Sequence, residues 1–366
     1  MLGKISAHRK LRRASPAEVL GLRVGESVTV RSLEEILATL DDSGCLDALP
    51  FMPEMARRCG QDFTVFKRVD KINDLVDRTG LRRMNNAVIL ERERCDGSFH
   101  GSCQALCQSI WKEAWLKRVG GRGERRILAT GTPMWPSVDR KTRLTSATIE
   151  HFCRGPAIDG EETFRCQQTE LKKASSYLAW WDPRQYARDW WYGNVSAGEM
   201  IRMFAFWIFT LVARHIGGYQ FLVSAYDRLQ RFRGREPYPY MNGSLQATPT
   251  EKLDLRPGEW VRVKRHGEIL VTLDTHNKNR GLWFDVEMVK YCNGVYRVLC
   301  RVERIVEPKT GRMLKFGNDC IILDGVTVRG EYHRFYSQNE YPFWREIWLK
   351  RHSKEEQQKI QGSTLS

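Results

Sequence analysis

No apolar run in this 366-residue chain is long enough to cross a bilayer. The most apolar stretch, MFAFWIFTLVA at 203–213, is eleven residues flanked by Arg202 and Arg214. The chain also lacks GxGxxG, Walker, HExxH and Gly-x-Ser-x-Gly patterns. That removes the usual signatures of dinucleotide, nucleoside-triphosphate, zinc-protease and serine-hydrolase sites, and leaves nucleophile, base and oxyanion donor unassigned. The opening MLGKISAHRKLRRASPAEVLGL is basic and has no stretch resembling the apolar part of a signal peptide, so a cytoplasmic location is expected. There, cysteines serve as metal ligands or reduced thiols more often than as disulfides. No CxxC pair occurs among the ten cysteines, so zinc knuckles of that kind are excluded.

What is present is ordinary globular composition, 42% hydrophobic and 28% charged. The net charge of +15 favours an anionic partner, whether nucleic acid, glycan or acidic lipid, or marks no more than a basic surface. The excess gathers at 4–13, 117–126 and 228–235, which read as solvated tails and linkers. Twelve tryptophans point to well-packed cores or to exposed aromatic platforms, and cores are the plainer expectation.

The chain repeats itself. LRVGESVTVRSLEEILATLD (22–41) aligns without a gap on LRPGEWVRVKRHGEILVTLD (255–274), an offset of 233. From Leu22 to Ile72, 21 of 51 positions are identical at that offset, and WKEAWLKR (111–118) meets WREIWLKR (344–351). Residues 22–118 and 255–351 are therefore read as two copies of one fold. Around them lie a basic tail (1–21), a middle segment with linkers (119–254) and a polar tail (352–366).

Within each copy, GESVTV and GEWVRV alternate as a first strand does. This opening resembles that of SH3-like barrels of the translation-factor type. The spacing of Leu33, Ile36, Leu37 and Leu40 predicts a helix, and residues 296–316 a hairpin turning at Pro308 and Gly311. Cys103, Cys107, Trp111, Trp115 and Arg118 recur at threes and fours, which predicts a closing helix; Pro342 would open its counterpart. The expected fold class is α+β: two homologous small SH3-like barrels, each closed by a helix, around a Trp-rich, partly helical middle. Residues 199–229 are expected to be helical, buried or lying at a membrane interface.

Copy one concentrates its chemistry in RCDGSFHGSCQALC (94–107). On a helix, Cys103 and Cys107 would share a face one turn apart; Cys95 precedes them, and Cys59 would close the set. Four thiolates suit a structural zinc ion, with His100 able to replace one of them. An iron–sulfur cluster takes four cysteines too, and unligated buried or redox-active thiols are the remaining reading. In copy two, Cys59 maps to Cys292, whereas Cys95, Cys103 and Cys107 map to Val328, Tyr336 and Glu340. There, aromatic packing by Phe335, Tyr336 and Phe343 is expected to replace the metal.

The phrases CGQDFTVFKRVDKI, RRMNNAVILERERCDGSFHGSCQALC and WWDPRQYARD are similar to those of a bacterial family with tandem cysteine-bearing modules. The resemblance spans most of the chain and implies no reaction. Glu54 and Glu287 hold the same slot in both copies, which speaks for structure over catalysis. WWDPRQYARDWW (180–191) could stack on sugars or bases, but reads more simply as a helix start with Asp182 as cap, Pro183 first and its tryptophans in the core. The functional expectation is a non-catalytic metal-binding scaffold or accessory protein with an anionic partner. The alternatives are an iron–sulfur redox protein centred on the cysteines, and a peripheral membrane protein using 199–229.

Overall fold

The computed structural model describes residues 19–74, 77, 79–119, 146–215, 219–234 and 238–352. The basic cluster at 4–13, most of that at 117–126 and the polar tail after 352 lie outside the described residues. The chain mixes helix and strand and contains a curled half-barrel sheet, an α+β arrangement.

The first half runs β1 (Ser27–Val30), α1 (Leu33–Leu37), the hairpin β2 (Cys45–Leu46) and β3 (Leu49–Pro50), a 3-10 turn (Pro53–Arg58) and β4 (Asp62–Arg68). The hairpin β5 (Ile72–Asp74) and β6 (Gly80–Arg83) follows, then β7 (Ala87–Arg94), β8 (Gln108–Lys112), a 3-10 turn (Glu113–Trp115) and β9 (Leu116–Arg118). Five of these strands form one antiparallel sheet in the order β8-β7-β4-β1-β9.

The middle holds α2 (Ser146–Phe152), α3 (Gln167–Glu170), β10 (Ser176–Tyr177), α4 (Arg184–Trp191), α5 (Ala197–His215) and α6 (Tyr219–Phe232). The second half comprises β11 (Trp260–Val263), α7 (His266–Leu270), β12 (Lys278–Asn279), β13 (Leu282–Trp283), a 3-10 turn (Val286–Tyr291) and β14 (Val295–Arg301). It continues through β15 (Arg304–Val306), β16 (Met313–Lys315), β17 (Ile321–Leu323), a 3-10 turn (Glu346–Trp348) and β18 (Leu349–Arg351). Its sheet order is β17-β14-β11-β18.

Adding 233 to β1, α1, β2, β3, β4 and β9 gives the bounds of β11, α7, β12, β13, β14 and β18. The pairing register agrees as well: Ser27 opposes Thr64 and Trp260 opposes Arg297, while Val30 opposes Leu116 and Val263 opposes Leu349. Packing follows the same offset. Phe51 stands edge-on to Trp115 at 5.2 Å, and Phe284 to Trp348 at 5.3 Å. The indole nitrogens of Trp115 and Trp348 donate to Thr39 and Thr272 Oγ1, each at 3.1 Å. Buried Glu113 accepts from the amides of Gly21 and Leu22 and pairs with Arg68; Glu346 accepts from those of Leu253, Asp254 and Leu255 and pairs with Arg301.

The predicted closing helix is absent from both halves. Strand β8, the 3-10 turn and β9 stand where helical spacing was read, and the second half has the same 3-10 turn and β18. A fully buried strand hides the polar–apolar alternation that would identify it, and all five residues of β8 are buried. The 3-10 turn then brings Trp115 into the same core as Trp111, so a four-residue spacing arises without a helix. The hairpin at 296–316 forms between β15 and β16, with Pro308 and Gly311 in the connecting turn.

The middle segment departs from its expectation too. The Asp182 carboxylate accepts from the Arg184 amide at 3.0 Å, but Pro183 is the cap residue of α4, and Trp180, Trp181, Trp190 and Trp191 are exposed, not core. The buried side chains of α4 are Gln185 and Asp189. Asp189 pairs with buried Lys71 at 2.6 Å, and Gln185 donates to the carbonyls of Ala179 and Trp180, so polar contacts anchor this helix. Helices α5 and α6 bury one side against Tyr238, Tyr240 and Tyr332 and leave Ile201, Trp207, Ile208, Phe221 and Phe232 exposed. Among the described residues, no helix is long and apolar enough to cross a membrane.

Candidate metal centre

The loop 95–107 joins β7 to β8 and is closed at its base by the Cys95 amide donating to the Cys107 carbonyl at 2.8 Å. Gly97 sits inside it at φ +71°, where a Cβ would meet the Cys103 carbonyl at 2.0 Å. Glycine is therefore required to fold the loop back on itself. The tip docks on the second half: the Gln104 carboxamide oxygen accepts from the Glu303 and Arg304 amides, and the Cys103 sulfur accepts from the Val306 amide at 3.3 Å.

Inside the loop, the Cys95 sulfur lies 3.1 Å from His100 Nε2 and accepts from the Gly97 amide at 3.3 Å. The 3-10 turn that Pro53 begins brings Glu54 against this pair. One ligand atom from each of Glu54, Cys95 and His100 lies within 4.8 Å of the others, so the three could hold a metal ion. His100 is 1% exposed and its Nδ1 has no hydrogen-bond partner; Glu54 is 7% exposed and neither carboxylate oxygen has one. Orphaned buried polar atoms are costly, and the two Glu54 oxygens beside Cys95 and His100 call for a ligand.

Burial sets the charge states here. It raises the Glu54 carboxyl, and it lowers His100, which keeps the ring neutral and able to donate a lone pair. Burial, reinforced by Glu54, lifts the Cys95 thiol far above its ordinary range. A cation reverses the tendencies of Glu54 and Cys95 and reinforces that of His100, because ligands bind as thiolate, neutral imidazole and carboxylate.

A cavity of about 880 Å³ opens beside the trio. Cys103 and Cys107 line it, but Cys59 does not: it ends the 3-10 turn and packs against the core of the five-stranded sheet. Of the expected set Cys59, Cys95, Cys103 and Cys107, three line this cavity, and Cys95 alone belongs to the trio that closes to 4.8 Å. The fourth thiol at the cavity is Cys166, in the middle segment. Its position is fixed by Gln167, whose carboxamide bonds both backbone groups of Ile110 in β8 at 2.8 Å. No spacing rule finds Cys166, since only tertiary packing brings it near.

The second half is the internal comparison. His333 and Glu287 lie 233 residues beyond His100 and Glu54. His333 bonds the Asp285 carboxylate at 3.1 Å, where the first half has Met52. Glu287 accepts from the amides of Arg329, Gly330 and Tyr332. The second half satisfies internally the groups that the first leaves bare. Phe335 and Tyr336 are buried there, and Phe343 packs edge-on against Phe316 at 5.8 Å.

No protein-family model, curated protein or solved structure matches the chain.

Proposed function

We propose that the chain is a non-catalytic metal-binding accessory protein built from two copies of one SH3-like module, only the first of which carries a metal. Support for the modules is the shared order of four sheet strands and the 3-10 turn that leads into the last strand of each half. Support for the metal is one contrast. Glu54 is buried with both oxygens unpartnered beside Cys95 and His100, whereas Glu287 takes three backbone donors. Zinc accepts such mixed sulfur, nitrogen and oxygen donors, and so does iron. Total metal per chain tests the reading, measured on protein purified without a histidine tag. About one equivalent or more of a transition metal is expected, falling severalfold in Cys95→Ser. Metal-free protein that is folded and stable sinks it.

The exposed apolar side chains of α5 and α6 favour a second reading for the anionic partner. We infer that this hairpin rests on an acidic lipid surface, with Arg202, Arg228 and Arg231 beside its exposed aromatic residues at head-group depth.

A further inference from the structure

We propose that Cys166 joins Cys95, Cys103 and Cys107 as the fourth thiolate of an iron–sulfur cluster seated in the cavity between the two halves. This rests on the reading that the first half binds metal, and moves the metal from the Glu54, Cys95 and His100 trio to four thiols, with Cys95 common to both. The four thiols come from three places: the β7–β8 loop supplies three, the middle segment one, and the hairpin of β15 and β16 closes the far wall of the cavity.

The four sulfurs are not gathered as the ligands of one ion are. A single zinc ion, with Zn–S near 2.3 Å, draws four thiolates to about 3.8 Å from one another. Among the described residues, no trio of His, Cys, Asp or Glu other than Glu54, Cys95 and His100 closes to 4.8 Å, so no three of these sulfurs stand that close. They line one cavity all the same. A cluster brings its own sulfide core, so its thiolates bind outer irons and stand further apart than the ligands of one ion. The cavity of about 880 Å³ has room for such a core.

Two further observations fit. The Cys103 sulfur accepts from the Val306 amide at 3.3 Å. Hydrogen bonds from backbone N–H to ligand sulfurs are among the groups that tune such clusters. At the Cys95 corner, His100 stands within hydrogen-bond distance of the sulfur through Nε2.

The test is anaerobic purification from iron-supplemented cells, followed by absorption near 400 nm and assay of iron, zinc and acid-labile sulfide. Brown protein with iron and sulfide in equal amounts is expected. Cys166→Ser should lose at least fivefold of both, while Cys59→Ser keeps them. Iron-edge X-ray absorption on the unaltered protein guards against a misfolded variant: all-sulfur ligation with iron–iron scattering is expected. One equivalent of zinc without sulfide overturns the cluster and leaves the metal-binding reading standing. Oxygen-and-nitrogen ligation of iron, or full loading in Cys166→Ser, also overturns it. No metal under any condition sinks both.

Discussion

Glu54 and Glu287 sit 233 residues apart at the same place in the same 3-10 turn, yet Glu287 accepts three backbone N–H groups and Glu54 accepts none. An ionised carboxylate held by amides is a structural part of a loop; one buried without donors needs a cation or a proton. The difference separates a half whose Glu54, Cys95 and His100 could hold a metal ion from one whose equivalent glutamate is satisfied by backbone amides.

Opposite effects follow from the same substitution at the two positions. In protein stripped of metal, Glu54→Gln should raise stability at pH 8 by about 1–3 kcal/mol, because it removes a buried, unpartnered charge. The sign follows from burial lifting the Glu54 carboxyl above its ordinary 4.5. The folded state then holds its proton more tightly than the unfolded, so metal-free stability falls as pH rises above that value. Glu287→Gln should cost about 1–2 kcal/mol, since an amide nitrogen would face a backbone N–H. Urea midpoints of both variants between pH 5 and 8 measure this; a loss of stability in metal-free Glu54→Gln would contradict it.

Glu113 and Glu346 anchor their halves in the same way, each tying incoming backbone amides to an arginine on the central strand. Glu113→Ala leaves buried Arg68 with Asp70 as its carboxylate partner and should cost about 3–5 kcal/mol. Glu346→Ala should cost less, because Arg301 is partly exposed and water replaces its partner. Chemical denaturation of the two variants compares them, and equal losses would show that exposure of the arginine does not matter.

The repeat was legible in the sequence because identity at one offset needs no knowledge of structure. So was most of the loop that lines the cavity: Cys95, His100, Cys103 and Cys107 lie within thirteen residues of each other. What misled was periodicity. Buried β8 shows no alternation, so Trp111 and Trp115 read as helix when they belong to a strand and a 3-10 turn. Cys59 completes a set of four thiols in the sequence, but its turn directs it to the sheet core, whereas Cys166 arrives through the Gln167–Ile110 contact. The match of His100 with His333 was available at the offset already in use, and it marks the position where the two halves diverge.

His333 supplies a pH signal confined to the second half. Burial opposes its charge, but the hydrogen bond and field of Asp285 outweigh that, and Glu287 adds to them, so its pKa is raised above 6.5. The protonated ring thus favours the folded state. Its contribution is fully present below pH 6.5 and is lost as pH climbs through the raised folded value. The imidazole is about one-third exposed, so the contribution is about 1 kcal/mol or less. Histidine titration by NMR reads the pKa directly, and Asp285→Asn should bring it down to or below 6.5. An unchanged His333 titration in that variant would remove Asp285 as the cause.

The helical hairpin carries the remaining prediction. Trp207, Phe221 and Phe232 are exposed by more than half, with Phe232 at 91%, and arginines lie among them along α5 and α6. Burying an aromatic side chain of this size in an apolar phase gains about 1.5–3 kcal/mol. Vesicles with 30% phosphatidylserine should therefore pellet the protein, and the triple variant Trp207→Ser, Phe221→Ser, Phe232→Ser should bind at least tenfold more weakly. Charge and apolar contact contribute differently: 0.5 M salt should weaken binding further by screening the arginines, without abolishing what the aromatics supply. Equal pelleting of variant and parent would mean that the exposed ring edges do not enter the bilayer. Pelleting that vanishes in salt while the variant binds as the parent does would assign the surface to charge alone.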